Sequence, residues 1–206
     1  MDYTLYVCTD RELMSSASME ESVELALKGG ASVVQLRDKH ASGRQMYETA
    51  LALKAVTDRF GVPLIINDRV DIAMAVDAAG VHLGQSDMPI EAARRLMGAG
   101  KVIGVSAARV DEAQAAERAG ADYLGVGAVF ATGTKDNTRP VTRELLMQIR
   151  DAVTIPMVAI GGIAAENVGT LRDTGINGIA VVSAVVAQPD VTEAARRMRR
   201  LFETGE

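Results

Sequence analysis

Residues 63–85 read PLIINDRVDIAMAVDAAGVHLGQ, and their character changes twice. Leu64-Ile65-Ile66 is a short apolar run with the β-branched bias of a strand, and it breaks at once into Asn67-Asp68-Arg69. RVDIAMAVDAAG then spaces its apolar residues as a helix does, and GVHLGQ returns to a strand pattern. Strand, helix and strand in immediate succession make a βαβ unit, whose crossover sets neighbouring strands parallel. Both strands end in polar residues: Asn67 and Asp68 after the first, Gln85, Ser86 and Asp87 after the second.

The same unit recurs in both directions. Strand patterns occur at LYVCTD (5–10), SVVQLR (32–37), PLIIND (63–68), GVHLGQ (80–85), VIGVSA (102–107), YLGVGAV (123–129), PMVAIGG (156–162) and GIAVVSA (178–184). Amphipathic stretches lie between them, among them ESVELALKGG, GRQMYETALALKAVTDRFG, DEAQAAERAG and AENVGTLRDTG. Gly30-Ala31, Gly80-Val81, Gly120-Ala121 and Gly175-Ile176 each stand just before a strand, and each is expected to close the preceding helix. The repeat length is roughly 25 residues, and eight units fit. Eight βα units without a linker predict an α/β fold, a single (β/α)8 TIM barrel in one domain over residues 1–206. A doubly wound open sheet is the alternative. The barrel is preferred because the count is eight and nearly every strand ends in polar residues, which a barrel gathers on one face.

Composition narrows the function. The chain has 206 residues and is 48% hydrophobic but only 3% aromatic, so its core must be mostly aliphatic. A net charge of −5 argues against general nucleic-acid binding. The basic run RRMRR (196–200) sits on an amphipathic stretch and reads as a solvated helix face. One cysteine, Cys8, rules out an internal disulfide and suits a cytoplasmic location. No secretory leader and no apolar run of bilayer-spanning length is seen, so no membrane partner is expected. The sequence is compatible with a homo-oligomer.

The strand ends carry the chemistry. In Gln35-Leu36-Arg37-Asp38-Lys39, alternation puts Gln35, Arg37 and Lys39 on one side. An amide and two cations there suit a phosphate or pyrophosphate; the alternative is a solvated strand exit paired with Asp38. Asp68 and Asp87, on adjacent strands, can share one hard cation such as Mg2+; alternatively each caps the helix that follows it. Ser106 ends strand five in Gly104-Val105-Ser106, which lacks the second glycine of a hydrolase elbow. GVGAVFATGTKDNTRP (125–140) matches neither G-x-G-x-x-G nor a Walker A loop, and is expected to be a long polar lid carrying Thr132, Gly133, Thr134 and Lys135. Gly162 and Ser183 end strands seven and eight, where barrels often bind phosphate through backbone N–H groups. Two anion sites point to two phosphorylated substrates and a transfer between them. His82 reads as a packed, hydrogen-bonded strand residue.

QLRDK, NDR, HLGQSD, GVS, FATGTK, IGGI and VVSA, in this order and spacing, resemble the thiamine-phosphate synthase family over essentially the whole chain. Asp38 stands where that family often has Glu, and Gly133 where it often has Pro. The resemblance implies condensation of a hydroxymethylpyrimidine pyrophosphate with a thiazole phosphate, giving thiamine monophosphate and pyrophosphate by a dissociative, Mg2+-assisted path. It implies that Gln35, Arg37, Lys39, Asn67 and Lys135 contact the pyrimidine substrate and its pyrophosphate, with Ser106 beside the ring. Asp68 and Asp87 would hold Mg2+, and Thr132, Gly133, Thr134, Gly162, Val182 and Ser183 would bind the thiazole phosphate. Arg37, Lys39, Ser106 and Lys135 form the implied catalytic group. A thiazole tautomerase on the same barrel and a non-catalytic phosphate-metabolite sensor are the alternatives; neither has a use for two cations beside a carboxylate pair.

Overall fold

The computed structural model describes residues 1–132 and 140–205. Eight strands run parallel: β1 (Leu5–Cys8), β2 (Val33–Leu36), β3 (Leu64–Asn67), β4 (Gly80–Leu83), β5 (Val102–Ala107), β6 (Tyr123–Val126), β7 (Met157–Ile160) and β8 (Gly178–Val181). They pair in sequence order and β8 closes on β1, making the expected (β/α)8 barrel. The helices are α1 (Met19–Lys28), α2 (Gly43–Phe60), α3 (Val70–Ala75), α4 (Ile90–Met97), α5 (Val110–Arg118), α6 (Arg143–Ala152), α7 (Ser183–Val186) and α8 (Val191–Thr204). A 3-10 segment, Val168–Thr174, follows β7.

Alternation along each strand divides two cores. Val34, Leu36, Leu64, Ile66, Val81 and Leu83 face outward and join the apolar faces of the helices. Tyr6, Val33, Ile65, Tyr123, Val158 and Ala180 point inward and fill the barrel. Strands buried on both faces are why the sequence shows near-continuous apolar runs. Helix starts are fixed locally: the Ser18 side chain accepts from Glu21 N, and Ser42 and Gln45 form a reciprocal capping box on α2.

Three expectations change. Most strands are shorter than their patterns, because the polar tails leave the ladder. Thr9 Oγ1 accepts from Arg37 N at 3.0 Å, and Asp68 turns to φ 64°. Gly80 does not close a helix. It is the first residue of β4, where a Cβ would collide with the Val102 carbonyl, and Asp77 at φ 53° makes the turn instead. AENVGTLRDTG forms a 3-10 segment rather than an α-helix. Asn167 spends its side chain on Ala164 N and the Gly162 carbonyl, Gly169 weakens the interior, and Thr170 and Thr174 bond back to carbonyls three residues earlier.

Candidate active site

A cavity of about 460 Å3 opens among the C-terminal strand ends. Gln35, Arg37, Lys39, Asn67, Asp68 and Asp87 line it from β2, β3 and the loops after β2, β3 and β4. Ser106, Thr132, Gly162, Val182 and Ser183 line it from β5 and from the loops after β6, β7 and β8. The residues expected to form two anion sites therefore line two walls of one cavity. Gly133, Thr134 and Lys135, in the part of the expected lid that follows Thr132, lie outside the described residues.

The cationic wall is held by the residue between its two cations. Asp38 accepts from His40 N at 3.3 Å and Ala41 N at 3.1 Å through Oδ1, and from Arg11 Nε at 2.8 Å through Oδ2. Asp38 is thus paired with Arg11, which removes the alternative that it neutralises Arg37 or Lys39. The Arg37 guanidinium makes no hydrogen bond or ion pair among the described residues, so its charge is available to an anion. Lys39 Nζ reaches Asp68 Oδ2 at 2.9 Å.

Neither carboxylate is a helix cap. Arg69 precedes α3 and Pro89 precedes α4, and neither helix has a side-chain cap. Asp87 Oδ2 instead accepts from Gly84 N at 2.6 Å, and Asp68 meets Lys39 rather than a backbone N–H. The two carboxyls lie within hydrogen-bonding reach of each other. For Asp68, burial works to raise the pKa, but hydrogen bonds from Lys39 and Asp87 and the Lys39 charge hold it below the ordinary value. For Asp87, burial and the neighbouring Asp68 charge outweigh the Gly84 N–H and raise it. Two carboxyls this close repel each other when both are charged, and a cation between them relieves that repulsion. Hard oxygen donors of this kind, with room beside them for a phosphate, fit Mg2+. Among the described residues no cluster of three or more acidic, His or Cys side chains offers a fuller metal cage.

On the far wall, Gly161 and Gly162 adopt φ 103° and 64°. Gly162 was expected to serve a phosphate through its backbone N–H. The structure supplies a steric reason for the glycine: a Cβ there would meet Phe130 Cβ at 2.8 Å, where the loop after β6 packs against it. Val182 precedes the short α7, which starts at Ser183. Loops after the last two strands and a short extra helix are a recurrent phosphate site in such barrels.

The floor was not foreseen. Gln35 Nε2 donates to Tyr6 Oη at 2.8 Å, and Tyr6 Oη lies 2.8 Å from Tyr123 Oη. Tyr123 Oη is 2.9 Å from His82 Nδ1, and His82 Nε2 is 2.9 Å from Ser106 Oγ. Burial keeps both phenols protonated, with pKa values well above the ordinary range. His82 is packed and hydrogen-bonded as expected, yet it also faces the cavity. The overlooked signal was alternation in LYVC and YLGV, which turns Tyr6 and Tyr123 inward, where a buried phenol needs a partner.

Fold and site together define a barrel enzyme acting on phosphorylated small molecules. Residues 5–185 match the family described as thiamine monophosphate synthase. The chain is 56% identical to the thiamine-phosphate synthase of Chloroflexus aurantiacus, over 98% of this chain and 93% of that one. It is 52% identical to that of Ruminiclostridium cellulolyticum, over 98% and 96%. Among solved structures, the thiamine phosphate pyrophosphorylase of Pyrococcus furiosus superposes with a TM-score of 0.91 at 44% identity, covering 98% of this chain and 96% of that one. The chain belongs to the thiamine monophosphate synthase family, and is a transferase of thiamine biosynthesis with thiamine-phosphate synthase activity. No helix among the described residues is long and apolar enough to cross a membrane.

Proposed function

We propose that this chain, as a single cytoplasmic barrel domain, joins 4-amino-5-hydroxymethyl-2-methylpyrimidine pyrophosphate to a thiazole phosphate, carboxylated or not. The products are thiamine monophosphate and pyrophosphate; a carboxylated thiazole also releases its carboxyl group as carbon dioxide, and the carbon it leaves takes up a proton from solvent. The observation that carries this reading is one cavity holding an unpaired guanidinium, an ammonium and two adjacent carboxyls on one wall and the glycine-containing loop after β7 and the loop after β8 on the other. The carbon–oxygen bond between the pyrimidine methylene and the pyrophosphate breaks, and its electron pair leaves on oxygen. The electron-rich aminopyrimidine supports the positive methylene, and the thiazole nitrogen supplies the pair for the new carbon–nitrogen bond. No proton moves in either step, so no general base is needed.

Arg37, Lys39 and Lys135 serve as charge partners of the leaving group, the kind of electrostatic stabilisation that usually dominates catalysis. Asp68 and Asp87 would hold Mg2+, which when bound supplies further positive charge against the departing pyrophosphate. Lys39, paired with Asp68 in this structure, is within reach of both the carboxylates and an incoming anion. Gln35, Asn67 and Ser106 bind the pyrimidine; Thr132, Gly133, Thr134, Gly162, Val182 and Ser183 bind the thiazole phosphate.

Both substrates incubated with Mg2+ are expected to yield thiamine monophosphate and stoichiometric pyrophosphate. Thiazole isomerisation without condensation would replace this reading with a tautomerase. Undiminished turnover in EDTA would remove the metal assignment.

A further inference from the structure

Five side chains from five strands form one continuous hydrogen-bonded chain beneath the cavity: Gln35, Tyr6, Tyr123, His82 and Ser106. The strands are shaped to admit it. A Cβ at Gly104 would lie 2.0 Å from Tyr123 Cζ, and one at Gly125 would lie 2.9 Å from His82 Cε1.

With the Gln35 amide oriented as it is here, Nε2 toward Tyr6, the chain has one fully satisfied direction. Gln35 Nε2 can only donate, so Tyr6 Oη accepts from it. The single proton on Tyr6 then has the Tyr123 oxygen as its acceptor among the described residues. Reversing that bond would leave a phenolic O–H, on a residue 2% exposed, without a partner. Tyr123 passes its own proton to His82 Nδ1, which must therefore be bare. Neutral His82 then carries its proton on Nε2 and donates it to Ser106 Oγ. The Ser106 proton finds no protein acceptor among the described residues, and neither does Gln35 Oε1 find a donor; both residues line the cavity.

We propose that Tyr6, Tyr123 and His82 are positioning residues that fix the polarity of the pyrimidine site, holding a carbonyl acceptor at Gln35 and a hydroxyl donor at Ser106. Such a site selects a heteroaromatic ring that offers an exocyclic N–H to one and an unprotonated ring nitrogen to the other. It rejects the 4-oxo counterpart, which turns an acceptor toward an acceptor. The inference rests on the pyrimidine substrate proposed above.

Three measurements test it. In the wild-type protein labelled with 15N at the histidine rings, His82 should show a bare Nδ1 and a protonated Nε2; a protonated Nδ1 overturns the proposal. This readout does not depend on turnover. A protein that fails to condense its substrates but shows the Nε2–H form loses the proposed function and keeps the direction of the chain. By isothermal titration, 4-amino-5-hydroxymethyl-2-methylpyrimidine should bind at least about tenfold more tightly than its 4-oxo counterpart; equal affinity overturns the proposal. In Tyr123→Phe, the KM for the pyrimidine substrate should rise about tenfold with the KM for thiazole phosphate unchanged, and the His82 tautomer should become mixed. An unchanged pyrimidine KM, or a parallel rise in both, overturns it. Tyr6→Phe provides the same test should Tyr123→Phe not fold.

Discussion

The two ends of the barrel use the same residue types in opposite ways. At the N-terminal end, polar side chains serve the first backbone groups of the strands. Ser32 Oγ takes Leu5 N at 3.0 Å, Asp122 takes Ile103 N at 2.7 Å, and Asn177 takes Met157 N at 2.9 Å. Arg94 closes that end, reaching the Gly120 carbonyl at 3.0 Å and Asp122 at 2.6 Å. At the C-terminal end, Arg37 has no partner among the described residues, Asp68 and Asp87 face each other, and Asp68 holds a left-handed backbone. Charge is spent on the fold at one end and kept for a ligand at the other, as expected when function concentrates on one face.

Exchanging one residue at each end tests that division. Asp87→Asn keeps an acceptor for Gly84 N but removes the second charge. Turnover should fall by about 10²–10³-fold, while the urea midpoint stays at or above wild type. The sign follows from the raised pKa: the folded state favours the protonated carboxyl, so the charge costs stability at neutral pH. A midpoint well below wild type would show that Asp87 is mainly structural. Arg94→Ala should do the reverse, lowering unfolding free energy by about 2 kcal/mol with kcat nearly unchanged. Loss of kcat in the folded variant would mean the ends are not separable.

A smaller effect is expected at Glu117. Its Oε1 accepts from Thr154 Oγ1 and Thr154 N, each at 2.7 Å, and these bonds lower its pKa. A depressed carboxyl contributes stability above its unfolded pKa, near 4.3, and loses it as pH falls through the folded value. Glu117→Gln should therefore cost about 1 kcal/mol between pH 5 and 7, with the gap to wild type closing below about pH 4. Urea titrations across that range measure it; a gap independent of pH would mean the charge is not what anchors Thr154.

The barrel was legible because a βα unit leaves two periodicities in the sequence, and eight strand patterns leave little else to build. The cavity walls were legible because Arg37, Asp68 and Asp87 are polar residues at the ends of apolar runs. Asp38's true partner was not, since Arg11 lies on a different loop and nothing local links the two. Tyr6 and Tyr123 escaped because an aromatic inside an apolar strand looks like core until its hydroxyl is followed across the barrel. Gly80 was misread because a glycine that makes room for a carbonyl has the same letter as one that ends a helix.

Position 68 is narrow in sequence space. At φ 64° the backbone tolerates Gly, Asn and Asp far better than other residues. Of those three, one carries a negative charge. Asn keeps the geometry and gives up the charge, Gly gives up the side chain, and Glu keeps the charge on a backbone it strains. A lineage drifting at this site would find no charged neighbour that the fold accepts as readily, so the shape of the chain restricts position 68 before any selection on turnover begins.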